Sequence, residues 1–542
     1  MYQIQTTKNR GETFQKIPIS LKTQVITVCD PIKNTYKLLQ EDIIDENNTI
    51  VEESPWRSNS IAAILKLDNM YGKEGGKMLY KCIPYNKHLP ICLVAYEEKQ
   101  GFSKKRVHKY VLVKFKHWRD KHPVVTLIQT FGNIDNLSCL YDYLLFGLNI
   151  HTSNQRFTKA FMLGYKQHNK ATHIENMRKR YVLEDRSLHQ VITIDGDTTK
   201  DFDDGIGYIS GKDEDIISIY ISNTVLWMDY LDLWKDYGGR TSSIYLPDRV
   251  VNMLPNKMGN NIVGLLQKEL SVAFAMDLHI RDNKIHRVSF HNVIIQVDRN
   301  FRYEEPDLLD SLFYRNIISR MEDLNIKVEN SYKFIEKWMI YFNSKIGETL
   351  AEYKKGIYRY CTIEDVNQKK VPYELQEYMQ WQDTRSGYAL YRPDLLHSIL
   401  GINYYTQMSS PIRRIVDMIN MIEIHITVEL CNLSKATILY KDTWLKNLDT
   451  INATHRAIKQ LESQTKLLKY YSTTPDVVNQ VHEAYIVSII EEYKYKIYIP
   501  SLQATGILKV IENLPLYKKI NCLLCLVEDE INIVQKIRFI KV

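Results

Sequence analysis

The stretch TIDGDTTKDFDDGIGYIS, residues 193–210, concentrates carboxylates at one turn of the chain: Asp195, Asp201, Asp203 and Asp204. Apolar runs at 191–194 and 206–209 resemble strands, so the acids lie where one strand ends and the next begins. Crowded carboxylates repel one another unless a cation offsets their charge, and hard oxygen ligands suit Mg²⁺ or Mn²⁺ better than zinc. The spacing favours a divalent-cation site. A solvated aspartate-rich turn and a calcium loop are the alternatives, although the EF-hand register is not met.

The composition indicates an intracellular globular protein. The 542 residues are enough for roughly two to four domains, and 44% hydrophobic and 25% charged residues are ordinary globular values. No run approaches the about 18 apolar residues of a membrane span, and the N-terminus lacks an apolar signal core. The eight cysteines are too sparse for a disulfide framework; Cys522 and Cys525 are expected to be buried strand thiols, with a metal or redox pair as the alternative. A formal charge of +7 is compatible with a polyanionic partner.

The N-terminal part of the chain predicts a small barrel. Residues 1–60 are polar and partly acidic, which predicts an irregular N-terminal extension. Over residues 61–160, short runs rich in β-branched and aromatic residues alternate with turns, as in barrels of the OB or cold-shock type. Because side chains alternate along a strand, Lys114, Lys116 and Trp118 are expected on one face. That face suits single-stranded nucleic acid, and a solvated face with lysines protecting a sheet edge is the alternative.

The rest of the chain completes a multidomain α+β protein. Residues 161–478 begin with a basic helical connector, continue as a mixed α/β region and then become mainly helical. Residues 332–353, for example, carry apolar side chains at three- and four-residue spacing. Residues 479–542 return to strand-like runs. The predicted fold class is therefore an N-terminal OB/cold-shock-like β-barrel, a central α/β domain and a small, reduced OB-like C-terminal β domain.

Three ordered motifs resemble those of the ribonuclease II/ribonuclease R (RNB) family of 3′→5′ exoribonucleases. Residues 193–210 are similar to the family's pattern of an aspartate, five residues and D-x-D-D. IYLPDRVVNMLP, residues 244–255, is similar to its YLP…MLP stretch, and YTQMSSPIRRIVDMIN, residues 405–420, to its Y-T-x-x-[ST]-S-P-I-R-[RK] stretch. Residues 109–132 resemble the second cold-shock-like domain of the eukaryotic, exosome-associated branch, here without the PIN domain of that branch.

The resemblance implies a hydrolytic site with two divalent ions, for which Mg²⁺ is expected and Mn²⁺ is a substitute. It assigns the metal-binding and catalytic acids and the arginine that holds the scissile phosphate: Asp195, Asp201, Asp203, Asp204 and Arg413. It also implies a set of substrate-binding residues: Tyr245, Glu462, Tyr358, Arg359, Ser410, Lys114, Lys116 and Trp118. Tyr245 matches an aromatic that stacks on the terminal base. Pro411 is expected to begin the helix that follows, with Ser409 or Ser410 as its cap.

Two departures from the family pattern affect these expectations. Gly196 stands where the family usually has proline, and Gly205 where it usually has alanine; both keep the loop small. No counterpart of the family's RGAL-x-F segment, which supplies a second stacking aromatic, is found between 300 and 335. The clamp on the terminal base is therefore expected to be looser.

The resulting expectation is a Mg²⁺-dependent, hydrolytic 3′→5′ exoribonuclease that degrades single-stranded RNA to nucleoside 5′-monophosphates. It is expected in the cytoplasm or nucleus, away from membranes, with a helicase or an exosome-like complex as the kind of partner that supplies RNA. One alternative is a catalytically degenerate RNB-type protein that binds RNA and regulates. Another is a different metal-dependent phosphotransferase or DNA exonuclease that uses an aspartate cluster.

Overall fold

Two small barrels and a central sheet packed against helices make up the architecture. The structure is a computed structural model, and it describes residues 1–7, 10–19, 31–97, 106–363, 375, 384–474, 480–528 and 535–542. The chain divides into two units. The first comprises Met1–His151, Leu246–Asp248 and Lys459–Val542, and the second Thr152–Tyr245 and Arg249–Ile458.

The N-terminal residues of the first unit form a small sheet. Its strands are β1 (Tyr2–Thr6), β2 (Thr13–Pro18), β3 (Ile32–Lys33), β4 (Ile43–Ile44) and β5 (Ile50–Glu52), in the order β3-β2-β1-β4-β5. Ile4, Phe14, Leu38 and Ile44 form its buried core. The described part of residues 1–60 is thus ordered β-structure and not the irregular extension that the sequence predicts. Strands of two or three residues are too short for their alternation to be recognised in the sequence.

The predicted N-terminal barrel is confirmed. Its strands are β6 (Ser60–Glu74), β7 (Lys77–Pro84), β8 (Cys92–Tyr96), β9 (Lys109–His117) and β10 (Val124–Asn133), and they close in the order β10-β8-β7-β6-β9. Aliphatic side chains such as Leu65, Val111 and Val113 fill its interior and are wholly buried. The helix α1 (Leu137–Gly147) follows and begins at Asn136, whose side chain accepts hydrogen bonds from the N–H groups of Ser138 and Cys139.

The second unit is built on a seven-stranded sheet. In chain order its elements are α2 (Gln155–Tyr165), α3 (Lys170–Tyr181), β11 (Glu184–Arg186), β12 (Val191–Asp195), β13 (Asp204–Ser210), β14 (Asp215–Ser222), α4 (Thr224–Tyr230), β15 (Ile244–Tyr245), β16 (Val250–Val251), α5 (Asn256–Met258), β17 (Leu270–Arg281), β18 (Lys284–Gln296), β19 (Arg299–Arg302), α6 (Pro306–Leu309), α7 (Leu312–Asp323), α8 (Ser331–Glu352), β20 (Ile357–Ile363), β21 (Thr384–Leu390), β22 (Leu396–His397), β23 (Ile402–Asn403), α9 (Ile415–Thr427) and α10 (Lys435–Lys446). The sheet order is β11-β18-β17-β14-β13-β12-β19, and a four-stranded sheet has the order β21-β20-β22-β23.

The register of the large sheet brings the aspartate stretch to one edge of the structure. Strand β12 pairs with β13 in antiparallel fashion, with Ile192 opposite Ile206, so the chain leaves β12 at Asp195 and enters β13 at Asp204 from the same end. Strand β19 runs parallel to β12 on its other side and places Arg302 beside Asp195. Even-numbered residues of β17, such as Phe274 and Met276, are buried in the main core, which fixes this register.

The chain ends in a second closed barrel. The helix α11 (Leu448–Thr473) precedes it, and the division between the two units falls within this helix. The barrel strands are β24 (His482–Glu491), β25 (Lys494–Ile499), β26 (Ala504–Lys509), β27 (Lys519–Glu528) and β28 (Gln535–Lys541), in the order β24-β25-β26-β28-β27. Cys522 and Cys525 lie in β27 as free thiols, the former buried. The predicted C-terminal β domain and the multidomain α+β class are confirmed, while the domain boundaries at 61, 161 and 479 stay predictions.

Across the described ranges, the helices are too short or too polar for one of them to cross a membrane.

Candidate active site

A pocket of about 1190 Å³ lies within the second unit. One wall is the loop that joins β12 to β13 and carries the aspartates, and another is the face of α8 that bears Glu336 and Asn343. The segment 405–414, which precedes α9, closes a third side, and Tyr245 of β15 stands at the pocket as well. Three of the sequence motifs that are far apart along the chain therefore meet at one cavity.

Asp203 is the most enclosed of the four acids. Its side chain is only 2% exposed, because the loop turns inward between the exposed Asp197 and the start of β13. One carboxylate oxygen, Oδ1, accepts a hydrogen bond of 3.0 Å from the backbone N–H of Ile412. The other, Oδ2, lies 3.4 Å from Nε of Arg413 and has no hydrogen-bond partner. A buried carboxylate oxygen without a hydrogen-bond donor is an open position for a cation.

Burial raises the pKa of all four aspartates, and repulsion by neighbouring aspartates adds to the shift in three of them, Asp195, Asp203 and Asp204. Burial raises the pKa of Asp203 to about 7, although Arg413 opposes this shift. Burial and then the charge of Asp203 raise the pKa of Asp195 to about 7, and burial and then Asp195 raise that of Asp204 to about 8. Burial also raises the pKa of Asp201. Without a cation, the pocket therefore holds more enclosed negative charge than Arg413 neutralises.

The acids fit a divalent cation in their charge and ligand type. All four donors are hard carboxylate oxygens, and Oδ2 of Asp203 lacks a partner. Among the described residues, however, no group of three or more histidine, cysteine, aspartate or glutamate side chains is arranged so that it could hold a metal ion by itself. Mg²⁺ commonly uses one or two protein carboxylates and takes its other ligands from water and substrate phosphates. The arrangement suits that mode of binding and not a closed structural metal site.

Arg413 is held at the pocket by its own segment. Its Nη2 donates a hydrogen bond of 2.9 Å to Oγ of Ser410, and its carbonyl oxygen accepts one of 3.0 Å from the N–H of Ser243. The neighbouring Arg414 donates two hydrogen bonds, of 2.9 and 2.8 Å, to Asp417, which also accepts the N–H of Ser410 at 2.8 Å. Within this segment, Arg413 is thus left as the guanidinium that faces the carboxylates.

The segment before Arg413 is fixed by α8. Asn343, which is 3% exposed, donates hydrogen bonds of 3.3 and 3.2 Å from Nδ2 to the hydroxyls of Tyr405 and Ser409, and its Oδ1 accepts the N–H of Met408 at 2.8 Å. One turn further along α8, a Cβ added to Gly347 would lie only 1.7 Å from the carbonyl oxygen of Tyr404. Helix α8 and the segment therefore pack so closely that only glycine fits at position 347.

Two tyrosines face the pocket. Tyr245 is 47% exposed and interacts with Arg413; burial of its hydroxyl raises its pKa. Tyr303 follows β19, and its N–H donates a 3.0 Å hydrogen bond to the carbonyl oxygen of Asp195. Burial, followed by the charges of Asp195 and Asp204, raises the pKa of Tyr303 to about 12, and its ring packs edge-on against Tyr332 at 5.4 Å. Both tyrosines line the pocket.

Comparison with known proteins finds an RNB domain in the second unit. The family model described as the RNB domain matches residues 183–312, which include the whole aspartate loop. Ribonuclease R of Mycoplasmopsis pulmonis (strain UAB CTIP) is 30% identical over 172 residues, which are 27% of this chain and 23% of that relative. Residues 183–312 thus form an RNB domain, and the chain is similar to ribonuclease R in part of its sequence and in its fold.

The RNB fold extends beyond the matched region. Mycoplasma genitalium RNase R in complex with ribose methylated single-stranded RNA aligns with a TM-score of 0.72 at 15% identity, over 99% of this chain and 100% of that one. Yeast Ssd1, a pseudonuclease, aligns with a TM-score of 0.59 at 12% identity, over 96% of this chain and 80% of that one. At such identities the likeness shows the fold alone. The RNB chain spans about a quarter or less of the length of the curated relatives that it matches.

Most of the residues expected from the RNB motifs meet at this pocket. Asp195, Asp201, Asp203, Asp204, Tyr245, Ser410 and Arg413 all line it. Ser410 lines the pocket but does not cap a helix as expected, because α9 begins only after Arg414. Its hydroxyl instead accepts the hydrogen bond from Arg413. The catalytic and metal-binding roles of these residues stay predictions.

Tyr358 and Arg359 are placed differently from the expectation. The side chain of Tyr358 is fully buried, and its hydroxyl donates a 2.6 Å hydrogen bond to the carbonyl oxygen of Lys355, so it does not line the pocket. Arg359 donates a 3.0 Å hydrogen bond from Nη2 to Ser386, and its guanidinium lies 5.1 Å from the ring centre of Tyr388. Consecutive residues of β20, which pairs with β21, point to opposite faces of the sheet, so Tyr358 and Arg359 do not share one surface. A contact of Arg359 with substrate stays a prediction.

The remaining predicted contacts lie outside the second unit. Lys114 and Lys116 are exposed on β9 as expected, and Lys116 pairs with Glu74 at 3.2 Å. Trp118 lies beyond the end of β9, so it does not continue the strand face, and its Nε1 donates to the carbonyl oxygen of Lys121 at 3.4 Å. Glu462 lies on α11 and is partly buried. A contact of these four residues with nucleic acid stays a prediction.

The sequence reasoning missed several residues of the pocket, notably Tyr303, Asn343 and Asn260. A signal for Tyr303 exists in retrospect, since it directly follows the strand that pairs in parallel with β12 and so lies next to Asp195. Its ring stands in the pocket although the RGAL-x-F segment has no counterpart.

Proposed function

We propose that this RNB protein is a Mg²⁺-dependent hydrolase that removes nucleotides from the 3′ end of single-stranded RNA and releases nucleoside 5′-monophosphates. The observation that carries the proposal is the unpartnered Oδ2 of the buried Asp203, which faces Arg413 in a pocket lined by three further aspartates. An enclosed array of carboxylates beside an arginine suits a phosphodiester held through a divalent cation. It does not suit a ligand of low charge.

The aspartates would hold the cation and the arginine the phosphate. Asp195, Asp201, Asp203 and Asp204 are the proposed ligands of two Mg²⁺ ions, for which Mn²⁺ would substitute. The bound ions would activate water and stabilise the leaving 3′-oxygen. Arg413 offers two parallel N–H groups, which match phosphate oxygens, and its fixed charge offsets the charge that the phosphorus centre gains. Water oxygen bonds to phosphorus, the P–O3′ bond breaks, and the 3′-oxygen leaves with a proton.

The aromatic side chains suit a substrate of any sequence. Stacking on a tyrosine contributes about 1–3 kcal/mol per base and is tolerant of base identity. Tyr245 is half exposed and lines the pocket, and Tyr303 is the second ring of the pocket. We propose that these two rings position the 3′-terminal nucleotides, and that Lys114 and Lys116 of the first barrel contact RNA upstream.

The proposal extends to cellular context in a limited way. The enzyme is proposed to act inside the cell, in the cytoplasm or nucleus, on RNA whose 3′ end is already unpaired. A helicase or an exosome-like complex is the kind of partner that would supply such ends.

A time course with 5′-labelled RNA tests the function. With Mg²⁺, the label should pass through a ladder that shortens from the 3′ end to an oligonucleotide of a few residues, while nucleoside 5′-monophosphates accumulate. EDTA should stop the reaction, and a DNA oligonucleotide of the same sequence should persist. Products carrying 3′-phosphates, or internal cleavage, would contradict the proposal.

A catalytically degenerate RNB protein is the second candidate. It is favoured by the lack of a preassembled metal cage among the described residues, and a yeast pseudonuclease shares the fold. The retained quartet of acids and Arg413 argues against it, because adjacent carboxylates repel RNA phosphates and contribute nothing to simple binding. The same time course separates the two, since the degenerate protein would bind the RNA and leave its length unchanged.

A further inference from the structure

Arg302 is a further arginine of the pocket, and it lies outside the three sequence motifs. It is the last residue of β19, it pairs with Asp195 of β12, and its partly exposed side chain lines the pocket. Its backbone N–H donates a 2.8 Å hydrogen bond to the carboxylate of Glu305. The side chain of Arg302 therefore projects into the pocket from a backbone that is fixed on both sides.

The guanidinium of Arg302 contacts the aspartate loop, residues 195–204, near both of its ends. Nη1 donates a 2.8 Å hydrogen bond to the carbonyl oxygen of Gly196, and the guanidinium carbon lies 5.6 Å from the ring centre of Phe202. Gly196 directly follows Asp195, and Phe202 directly precedes Asp203. One side chain thus bridges the two ends of the loop next to acids that are the proposed cation ligands.

The middle of the loop has few other restraints. Residues 197–200 are largely exposed, and their turn is closed by a hydrogen bond of 3.0 Å from the N–H of Thr199 to the carbonyl oxygen of Gly196. The same carbonyl oxygen accepts the hydrogen bond from Arg302. Glycine at this turn restricts the backbone less than proline would. The contact with Arg302 therefore acts at the base of the turn, where it determines how the loop is directed.

Arg302 has two opposite effects on a cation bound by the loop. Its positive charge repels the cation, so by charge alone its removal would strengthen cation binding. Its contacts orient the loop, and loss of groups that orient metal ligands typically weakens metal affinity about 10–100-fold. Because Arg302 is partly exposed, solvent and salt screen its charge, whereas the hydrogen bond to the backbone is a direct contact. The orienting effect is therefore expected to be the larger one.

We propose that Arg302 is a positioning residue that holds the aspartate loop in its cation-binding shape before RNA arrives. The inference rests on the proposed function for the identity of the cation. It assigns Arg302 no contact with RNA and no part in bond cleavage. The shape of the guanidinium matters here more than its charge, because one N–H group donates to a carbonyl oxygen while the planar group packs on an aromatic ring. Lysine keeps the charge and lacks the planar group.

Mn²⁺ binding in the absence of RNA tests the inference. The decrease of the electron paramagnetic resonance signal of free Mn²⁺ reports binding by the full-length protein, and Asp203→Asn identifies the part of this binding that belongs to the pocket. Arg302→Lys and Arg302→Gln are the test variants. Arg299→Lys is the matched control, since Arg299 lies on the same strand, packs on the ring of Phe301 at 4.6 Å and does not line the pocket.

Both Arg302 variants should bind Mn²⁺ in the pocket about tenfold more weakly than the wild type, and Arg299→Lys should bind it like the wild type. In single-turnover hydrolysis, Arg302→Lys should need about tenfold more Mg²⁺ for its half-maximal rate and should approach the wild-type rate at saturating Mg²⁺. A merely structural role would instead lower the free energy of unfolding in EDTA and leave the affinity for Mn²⁺ unchanged.

Several results would overturn the inference. Tighter Mn²⁺ binding by Arg302→Gln would mean that the charge dominates, and wild-type affinity in Arg302→Lys would mean that the guanidinium shape is irrelevant. Absence of pocket binding in the wild type without RNA would mean that the loop is not held ready. Weaker RNA binding with unchanged Mn²⁺ affinity would mean a direct phosphate contact. If Arg302→Gln does not fold, Arg302→Lys alone decides.

Failure of the inference differs from failure of the proposed function. If the wild-type protein binds Mn²⁺ with an affinity that depends on Arg302 but leaves RNA intact, the function fails and the inference stands. If it hydrolyses RNA and Arg302→Lys binds Mn²⁺ like the wild type, only the inference is wrong.

Discussion

Asp203→Asn should stabilise the metal-free protein while it removes the proposed metal ligand. The substitution keeps an oxygen that can accept the N–H of Ile412 and removes a charge that is 2% exposed. The amide nitrogen of the new side chain would face Nε of Arg413, so the ion pair at 3.4 Å is lost and part of the gain in stability is offset. An aspartate whose charge stabilises the fold would show the opposite result.

The magnitude follows from the titration of Asp203. Burial raises its pKa from 3.8 to about 7, against the influence of Arg413. The folded protein therefore keeps this proton to higher pH than the unfolded chain, so the free energy of unfolding decreases as pH rises from about 4 to about 7. The whole shift corresponds to about 4 kcal/mol at pH 8. Because Asp195 and Asp204 remain in the variant and still repel one another, the expected gain is about 1–3 kcal/mol.

Urea unfolding followed by tryptophan fluorescence measures this gain. In EDTA the wild-type protein should be more stable at pH 5.5 than at pH 8, and the difference should be smaller in Asp203→Asn. Asp197→Asn, which alters an exposed carboxylate of the same loop, should unfold like the wild type. Adding Mg²⁺ at pH 8 should stabilise the wild type more than Asp203→Asn. A variant that is less stable than the wild type in EDTA at pH 8, with an unchanged pH dependence, would refute the reasoning.

Three further substitutions have defined outcomes. Arg413→Lys keeps the charge but loses the fork that also reaches Ser410, so the single-turnover rate should fall about 10²–10³-fold; a rate near that of the wild type would contradict its role. Tyr245→Ala should weaken RNA binding about tenfold by anisotropy, equally for adenine- and uracil-rich RNA; a base-dependent loss would contradict stacking. Gly347→Ala should lower the free energy of unfolding by about 3 kcal/mol or more, because the added Cβ would lie 1.7 Å from a carbonyl oxygen. The control is Gly164→Ala in α2, whose added Cβ has its nearest contact at 3.5 Å and should change the free energy of unfolding little. Equal effects of the two substitutions would contradict the close packing at Gly347.

The sequence predicts the centre of the site because local features determine it. The aspartates are confined between two apolar strands, so the loop between β12 and β13 brings Asp195 and Asp204 to one end of the sheet once those strands pair. The pairing itself is set by the alternation of buried residues, which is visible in the chain. Motif order then predicts that Arg413 belongs to the same site.

Long-range packing determines what the sequence does not predict. Tyr358 and Arg359 lie in a strand that pairs with β21, which turns Tyr358 into the core and Arg359 toward Ser386 and Tyr388. The segment near Arg413 depends on Asn343 of α8, more than sixty residues away, through three side-chain hydrogen bonds. The periodicity of a sequence does not reveal which residues form such a long-range hydrogen bond or how far apart in the chain they lie.

The sequence also does not predict the short N-terminal strands or the start of α9, and for α9 the reason is local. A proline after two serines is a good helix start, yet Asp417 accepts the N–H of Ser410 and Asp203 accepts that of Ile412, so the backbone there is engaged before the helix begins. The site uses these residues for positioning the arginine and delays the helix to Ile415.

The most direct measurement of the central claim compares hydrolysis and binding in the same protein. Wild type and Asp203→Asn, each in excess over a 5′-labelled single-stranded RNA, are mixed with Mg²⁺, and the single-turnover rate and the affinity are measured in parallel. A carboxylate pocket that hydrolyses RNA through a divalent cation predicts a rate loss of about 10³-fold or more in Asp203→Asn with RNA affinity largely kept. A variant that shortens the RNA as fast as the wild type would contradict the account.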